Sequence, residues 1–140
     1  MSVATFPSLD DCEVIEVDFI MLTGETQRRR LLVDSGFTGS SSLILSDVDD
    51  GLVRAKLDNA PAVGALQGDQ KRGWVTWRVP RLGLQNTSIA IIANLEPLSL
   101  PSGVLGMVGL TFLRNFTRWG AERTVDGWRF CLSAEFAVEK

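Results

Sequence analysis

Leu31-Leu32-Val33-Asp34-Ser35-Gly36-Phe37-Thr38-Gly39 is the stretch on which the reading of this chain turns. An apolar run of strand-like character delivers one acid, Asp34, directly into a Ser-Gly turn. A carboxylate at the end of such a run is partly withdrawn from water, which suits it to proton transfer. Gly36 lacks a Cβ, so the backbone there can turn sharply and be approached closely. Ser35 sets a hydroxyl beside the acid that can both donate and accept hydrogen bonds. The same residues also make an ordinary polar turn at the end of a strand, and the nonapeptide alone leaves both readings open.

Upstream, Glu13–Leu22 places Ile15, Val17, Phe19 and Met21 on one side, the pattern of a half-buried strand. Thr23-Gly24-Glu25-Thr26 reads as a turn and Gln27–Val33 as the returning strand, so Asp34 sits at the end of a central strand. Arg28-Arg29-Arg30, the one basic run, reads as a solvated hairpin arm. Downstream, Ser41–Leu45 resumes an extended apolar run. Ser46 offers a helix cap, but Gly51 limits the stretch to Leu57 to a turn or two of helix. Asp58-Asn59-Ala60-Pro61 reads as a turn. Val63–Leu66 and Trp74–Val79 then read as two strand arms around a mobile polar tip, Gln67–Lys71.

Leu82-Gly83-Leu84 and Ile89–Ala93 suggest a further pair around a turn at Gln85-Asn86, followed by a Pro-punctuated loop over Leu95–Pro101. Val104–Gly109 is apolar and Gly-rich, hence buried and tightly packed. Leu110–Phe116 fits one short helix with Leu110, Leu113 and Phe116 inward. A closing hairpin through Arg118-Trp119, a turn near Asp126-Gly127 and Trp128–Leu132 follows, and Ala134–Lys140 is expected to fray. About nine short strands and one helix at regular spacing predict an all-β barrel or sandwich.

At 140 residues the chain suits a single domain over 1–140 with its core at about 13–132. Its 45% hydrophobic and 22% charged content is that of a soluble globular protein. A net charge of −3 argues against nucleic acid as a partner. No histidine is present, which removes Ser-His and Cys-His nucleophilic pairs and nearly all His-ligated metal sites. Cys12 and Cys131 are too few for zinc and too far apart for a redox pair, and are expected as buried reduced thiols. Neither metal nor cofactor is expected. Gly103, Gly106 and Gly109 lack the spacing and the following Lys-Ser/Thr of a phosphate loop. The start, Met1–Asp11, has no signal-peptide pattern, and Pro97–Leu113 is broken by Pro101 and three glycines and is short for a membrane span. The expectation is a cytoplasmic protein without a membrane partner.

Two segments in order together resemble the retropepsin-like aspartic proteases. Leu32-Val33-Asp34-Ser35-Gly36 is similar to the family's apolar strand and Asp-Thr/Ser-Gly turn. Met107-Val108-Gly109 before Leu110-Thr111-Phe112-Leu113 is similar to its apolar-apolar-Gly leading into a short helix. Val104-Leu105-Gly106 competes for this second motif, but Gly109 is followed directly by helix-forming residues. Asp34-Ser35-Gly36-Phe37-Thr38-Gly39 also resembles the Asp-Thr-Gly-Phe pattern of bacterial members.

The resemblance spans roughly Val14–Leu132 and implies an acid-protease barrel that is one half of a twofold dimer. It implies Asp34, Ser35 and Gly36 as the catalytic turn. Phe37, Val108 and Gly109 become the floor of a peptide site, with Leu66, Gln67, Gly68 and Asp69 in a flap above it. It also gives the first and last strands a place in a shared interface sheet, with extended peptides or proteins as substrates. The alternative is a dimer of the same shape whose dyad is idle and which serves as a binding or assembly module.

Overall fold

The computed structural model describes residues 2–60 and 70–135. It opens with β1 (Ser2–Pro7), a strand not anticipated from sequence, because its six residues alternate only weakly in polarity. β2 (Val14–Ile20) and β3 (Thr26–Val33) form the expected antiparallel hairpin, with Ile15, Val17, Phe19 and Leu31 fully buried. Arg28 and Arg29 on β3 are more than a solvated arm. Arg28 Nε donates to Asp18 Oδ1 at 2.8 Å, and Arg29 Nη2 donates to Asp49 Oδ1 at 2.8 Å.

β4 (Leu43–Ser46) is buried along its whole length, as an uninterrupted apolar run demands when a strand is covered on both faces. A short 3₁₀ helix over Asp47–Leu52 follows, capped by Ser46, whose hydroxyl accepts from Val48 N. β5 (Ala55–Ala60) occupies the end of the stretch expected to hold a turn or two of helix and the first three residues of the turn expected at Asp58–Pro61. Its polar side chains find partners on the neighbouring strand instead: Arg72 grips Asp58 through two hydrogen bonds of 2.7 and 2.6 Å. β6 (Gln70–Val79) starts four residues earlier than expected, so Gln70 and Lys71 are strand rather than hairpin tip. The arm expected at Val63–Leu66 and most of that tip lie outside the described residues.

β7 (Leu84–Ala93) runs through Gln85 and Asn86, which pair with Arg78 and Trp77. The turn lies at residues 80–83, where Pro80 stops β6 and Gly83 takes a φ of +65°, conformations that Gln85 and Asn86 do not supply. β8 (Val104–Val108) leads into α1 (Leu110–Leu113), whose inward residues are Phe112 and Leu113, with Phe116 beyond it; Leu110 is only half-buried. β9 (Arg118–Thr124) and β10 (Gly127–Ala134) form the expected closing hairpin.

The strands are ordered β2-β3-β8-β4-β7-β6, and a further pairing of β2 with β6 closes the ring, with β5 flanking β6. β3–β8 and β4–β7 are parallel, while every other neighbouring pair is antiparallel. The barrel is filled by Ile15, Val17, Phe19, Leu31, Leu43, Leu45, Val75 and Trp77, and α1 plugs one end. Trp77 meets Phe112 at a centroid distance of 4.5 Å and donates its indole N–H to Ser88 Oγ at 3.0 Å. A second apolar cluster lies on the outer side of the same strands: Ile44, Ile91, Ala93, Leu95 and Met107, with Leu32, Phe37, Leu98 and Leu100 packed against it.

A separate three-stranded sheet, β1-β10-β9, packs against the barrel through Ala4, Phe6, Phe130 and Leu132. The first and last strands thus pair with each other inside one chain. Cys12 and Cys131 are free, but half-buried rather than buried. The Cys131 thiol is pushed up by burial and by its hydrogen bond to Glu122.

Candidate active site

β3 ends at Val33 because Asp34-Ser35-Gly36 turns the chain out of the sheet. The turn is held from within by the acid: Gly36 N donates to Asp34 Oδ1 at 3.0 Å, and Phe37 N donates to the Asp34 carbonyl at 3.1 Å. Asp34 is half-buried, whereas Ser35 and Gly36 are exposed.

β8 provides the anchor from outside. Asp34 N donates to the Val108 carbonyl at 2.9 Å, which continues the parallel β3–β8 ladder by one residue beyond Val33 and Val108. The chain then folds back over the start of α1, where Leu110 N donates to the Phe37 carbonyl at 2.8 Å and Thr111 Oγ1 donates to the Gly39 carbonyl. Gly109 N donates to Ser42 O at 3.0 Å, and Ser42 N donates to Ile89 O at 2.8 Å, so the loop is tied to β7 as well.

Gly109 is a glycine because a Cβ there would stand 2.5 Å from the Phe37 carbonyl oxygen, in the middle of this network. Gly106, the rival for the second motif, fills a different need: its missing side chain lets the Ile44 carbonyl approach within the barrel wall. The geometry therefore puts Gly109, and not Gly106, beside the acid turn.

Asp34, Ser35, Gly36, Phe37, Val108 and Gly109 are brought together at one end of the barrel, from segments more than 70 residues apart. Leu66, Gln67, Gly68 and Asp69 lie outside the described residues. β5 and β6, which flank residues 61–69 in sequence, pair antiparallel and are locked by the Arg72–Asp58 pair. Arg72 holds the Asp58 carboxyl below the usual carboxylate range through the hydrogen bond between them. Two positions that sequence reasoning passed over anchor the loop: Ser42, whose backbone carbonyl accepts from Gly109 N, and Thr111, whose hydroxyl donates to the Gly39 carbonyl. A backbone contact leaves no residue-type signal at position 42, and a lone Thr beside an apolar run is common in any β protein.

Chemically, one half-buried carboxylate stands on a stiff, multiply hydrogen-bonded turn, and its sequence neighbours Leu32 and Phe37 pack onto the outer apolar cluster. Within one chain it has no second acid on the same turn.

No known protein-family pattern matches the chain, and neither does any curated protein. Among solved structures, the chain is similar to the EIAV protease in complex with the inhibitor HBY-793, with 15% sequence identity and a TM-score of 0.50. The likeness covers 78% of this chain and 91% of that one. It shows the fold: a retropepsin-like β-barrel. Among the described residues, no helix is long and apolar enough to cross a membrane.

Proposed function

We propose that this chain is one half of a homodimeric aspartic endopeptidase whose dyad is Asp34 from each copy. The observation that carries the reading is the fixed Asp34-Ser35-Gly36 turn at the end of β3, braced by Val108 and Gly109 in a retropepsin-like barrel. One acid per chain needs a second chain, so the site lies on a twofold axis.

Two carboxylates about 3 Å apart cannot both ionise and share one proton. The ionised one takes a proton from a water molecule, and the protonated one donates to the carbonyl oxygen of the scissile bond. The tetrahedral adduct collapses as the protonated carboxyl gives its proton to the departing amine and the ionised one takes a proton from a hydroxyl of the adduct, which forms the product carboxyl and returns the dyad to its singly protonated state. The proton inventory balances at each step.

The apolar surface around Leu32 and Phe37 favours apolar side chains on either side of the cleaved bond, and an extended peptide suits a cleft between two barrels. Residues 1–140 form a single domain in this reading, with the stretch between β5 and β6 serving as the flap. Ser35 ties the two turns together across the axis.

The test is hydrolysis of a peptide library by the wild type and by Asp34→Asn. Activity is expected to fall by at least about a thousandfold, because the acid and base roles are both lost, while the far-UV spectrum and the dimer mass stay unchanged. Equal activity of the two proteins overturns the proposal.

A further inference from the structure

We infer that the partner copy joins through the open edge of β9, so that two β1-β10-β9 sheets become one six-stranded sheet about the twofold axis. This rests on the proposed dimer for its partner and says where the two chains meet. An interface built by exchange of terminal strands is not needed, because β1 and β10 already pair with each other within one chain over Ser2–Pro7 and Arg129–Ala134.

Of the two edges of this sheet, that of β1 is partly taken: Arg81 Nη1 donates to the Thr5 carbonyl at 3.1 Å. β9 pairs with β10 on one side and with no other strand among the described residues. Its outward N–H and C=O groups form a template for another strand.

Burial across the sheet runs out at this edge. On the face turned to the barrel, Ala4 and Leu132 are fully buried, but Trp119, opposite Leu132, is 40% exposed. Trp128, on the same face, is 54% exposed. Trp119 lies stacked on Phe130 at 6.4 Å, so its apolar surface is fixed in place rather than free to fold away.

The strand's own sequence, Arg118-Trp119-Gly120-Ala121-Glu122-Arg123-Thr124, is complementary to itself. Antiparallel pairing centred on Ala121 sets Trp119 opposite the partner's Arg123, a cation–π pair on one face. On the other face it sets Arg118 diagonal to the partner's Glu122. Gly120 and Ala121 leave the centre free of bulk, which lets the two backbones close to ladder distance. A second copy is thus the occupant that this edge fits.

The decisive experiment is disulfide capture in a Cys12→Ser/Cys131→Ser background. Ala121→Cys sits on the axis in this register and is expected to yield covalent dimer from most chains under oxidised glutathione. Val125→Cys, at the hairpin tip, is expected to yield none. In parallel, Trp119→Asp is expected to halve the mass seen by sedimentation equilibrium, with the far-UV spectrum retained. If Trp119→Asp unfolds, the capture result decides alone. A dimer by mass with no capture at position 121 overturns the edge pairing while leaving the protease reading standing. Efficient capture without any peptide hydrolysis supports the edge and counts against the protease reading. A monomer with no capture, or capture equal at positions 121 and 125, overturns the edge pairing.

Discussion

Gly109 and Phe37 touch backbone to backbone across the base of the acid turn, with no room for even a methyl group between them. Seventy-two residues separate Gly39 from Thr111, yet a hydrogen bond between them closes the same contact. The two ends of the chain's central half are thus locked at the point where Asp34 leaves β3.

Gly109→Ala tests that lock. The added Cβ must displace either Phe37 or α1, and the overpacking is expected to cost about 1–3 kcal/mol in urea unfolding. Gly51→Ala is the control, since its Cβ would meet only Met21 at 3.7 Å. It is expected to stay within about 0.5 kcal/mol of wild type. Equal costs at the two sites would mean that the Phe37 loop yields freely and does not brace the acid.

Mixing wild type with Asp34→Asn probes whether the dyad is shared. With three variant chains per wild-type chain, random pairing leaves roughly a quarter of the activity per wild-type chain. Subunit exchange must be allowed before the assay. Undiminished activity would place the whole site in one chain. The wild type is further expected to show a bell-shaped pH profile whose two limbs belong to the pair.

Arg29 and Asp49 form an ion pair that clamps the 3₁₀ turn onto β3, the strand that carries Asp34. The hydrogen bond to Asp49 raises the Arg29 guanidinium, with burial opposing. Asp49 is the more buried partner, its side chain 7% exposed against 23% for Arg29. Arg29→Ala leaves that acid buried and unpaired and is expected to cost about 3 kcal/mol. Arg29→Ala combined with Asp49→Ala should recover part of the loss. A double variant whose loss equals the sum of the losses of Arg29→Ala and Asp49→Ala alone would show that the pair is not coupled.

Asp58 makes the stem of the β5–β6 hairpin sensitive to acid. Because Arg72 depresses its folded-state value, the carboxylate stabilises the hairpin above the unfolded value of 3.8. That contribution disappears as pH falls through the lower folded value. Protection of the β5 and β6 amides, measured against their intrinsic exchange rates, should therefore fall at acid pH, and by less in high salt, which screens a pair whose side chains both reach solvent. Asp58→Asn should flatten the acid limb. An unchanged pH dependence in that variant would remove the pair from the stability of the stem.

Much of the barrel was legible because its determinants are local. The alternation at Ile15, Val17 and Phe19, the unbroken Leu43-Ile44-Leu45, and the Asp-Gly turn before Trp128 each announce one element. The acid turn and Gly109 could be picked out for the same reason. Less visible was anything set by a partner far along the chain. Asp58-Asn59-Ala60 look like the start of a turn until Arg72 lies opposite Asp58. Gln85 and Asn86 look like a turn until Pro80 and Gly83 make one just before them. Phe37 could be read as part of a motif, but its closure over Gly109 depends on how β8 enters between β3 and β4. Ser2–Pro7 carries so little pattern that only its ladder with β10 identifies it as a strand.

That ladder sets a timetable for synthesis. Thr5 faces Cys131 in the register, so β1 must wait through the synthesis of β2 to β9 before β10, its partner, exists. Until then Ala4 and Phe6 have no cover, and the edge of β9 does not exist. Contacts this distant along a chain form slowly, and a nascent chain carrying them is exposed to wrong partners. The barrel from β2 to β8 can close early, whereas the sheet that frames the proposed dimer can form only after β10 has emerged.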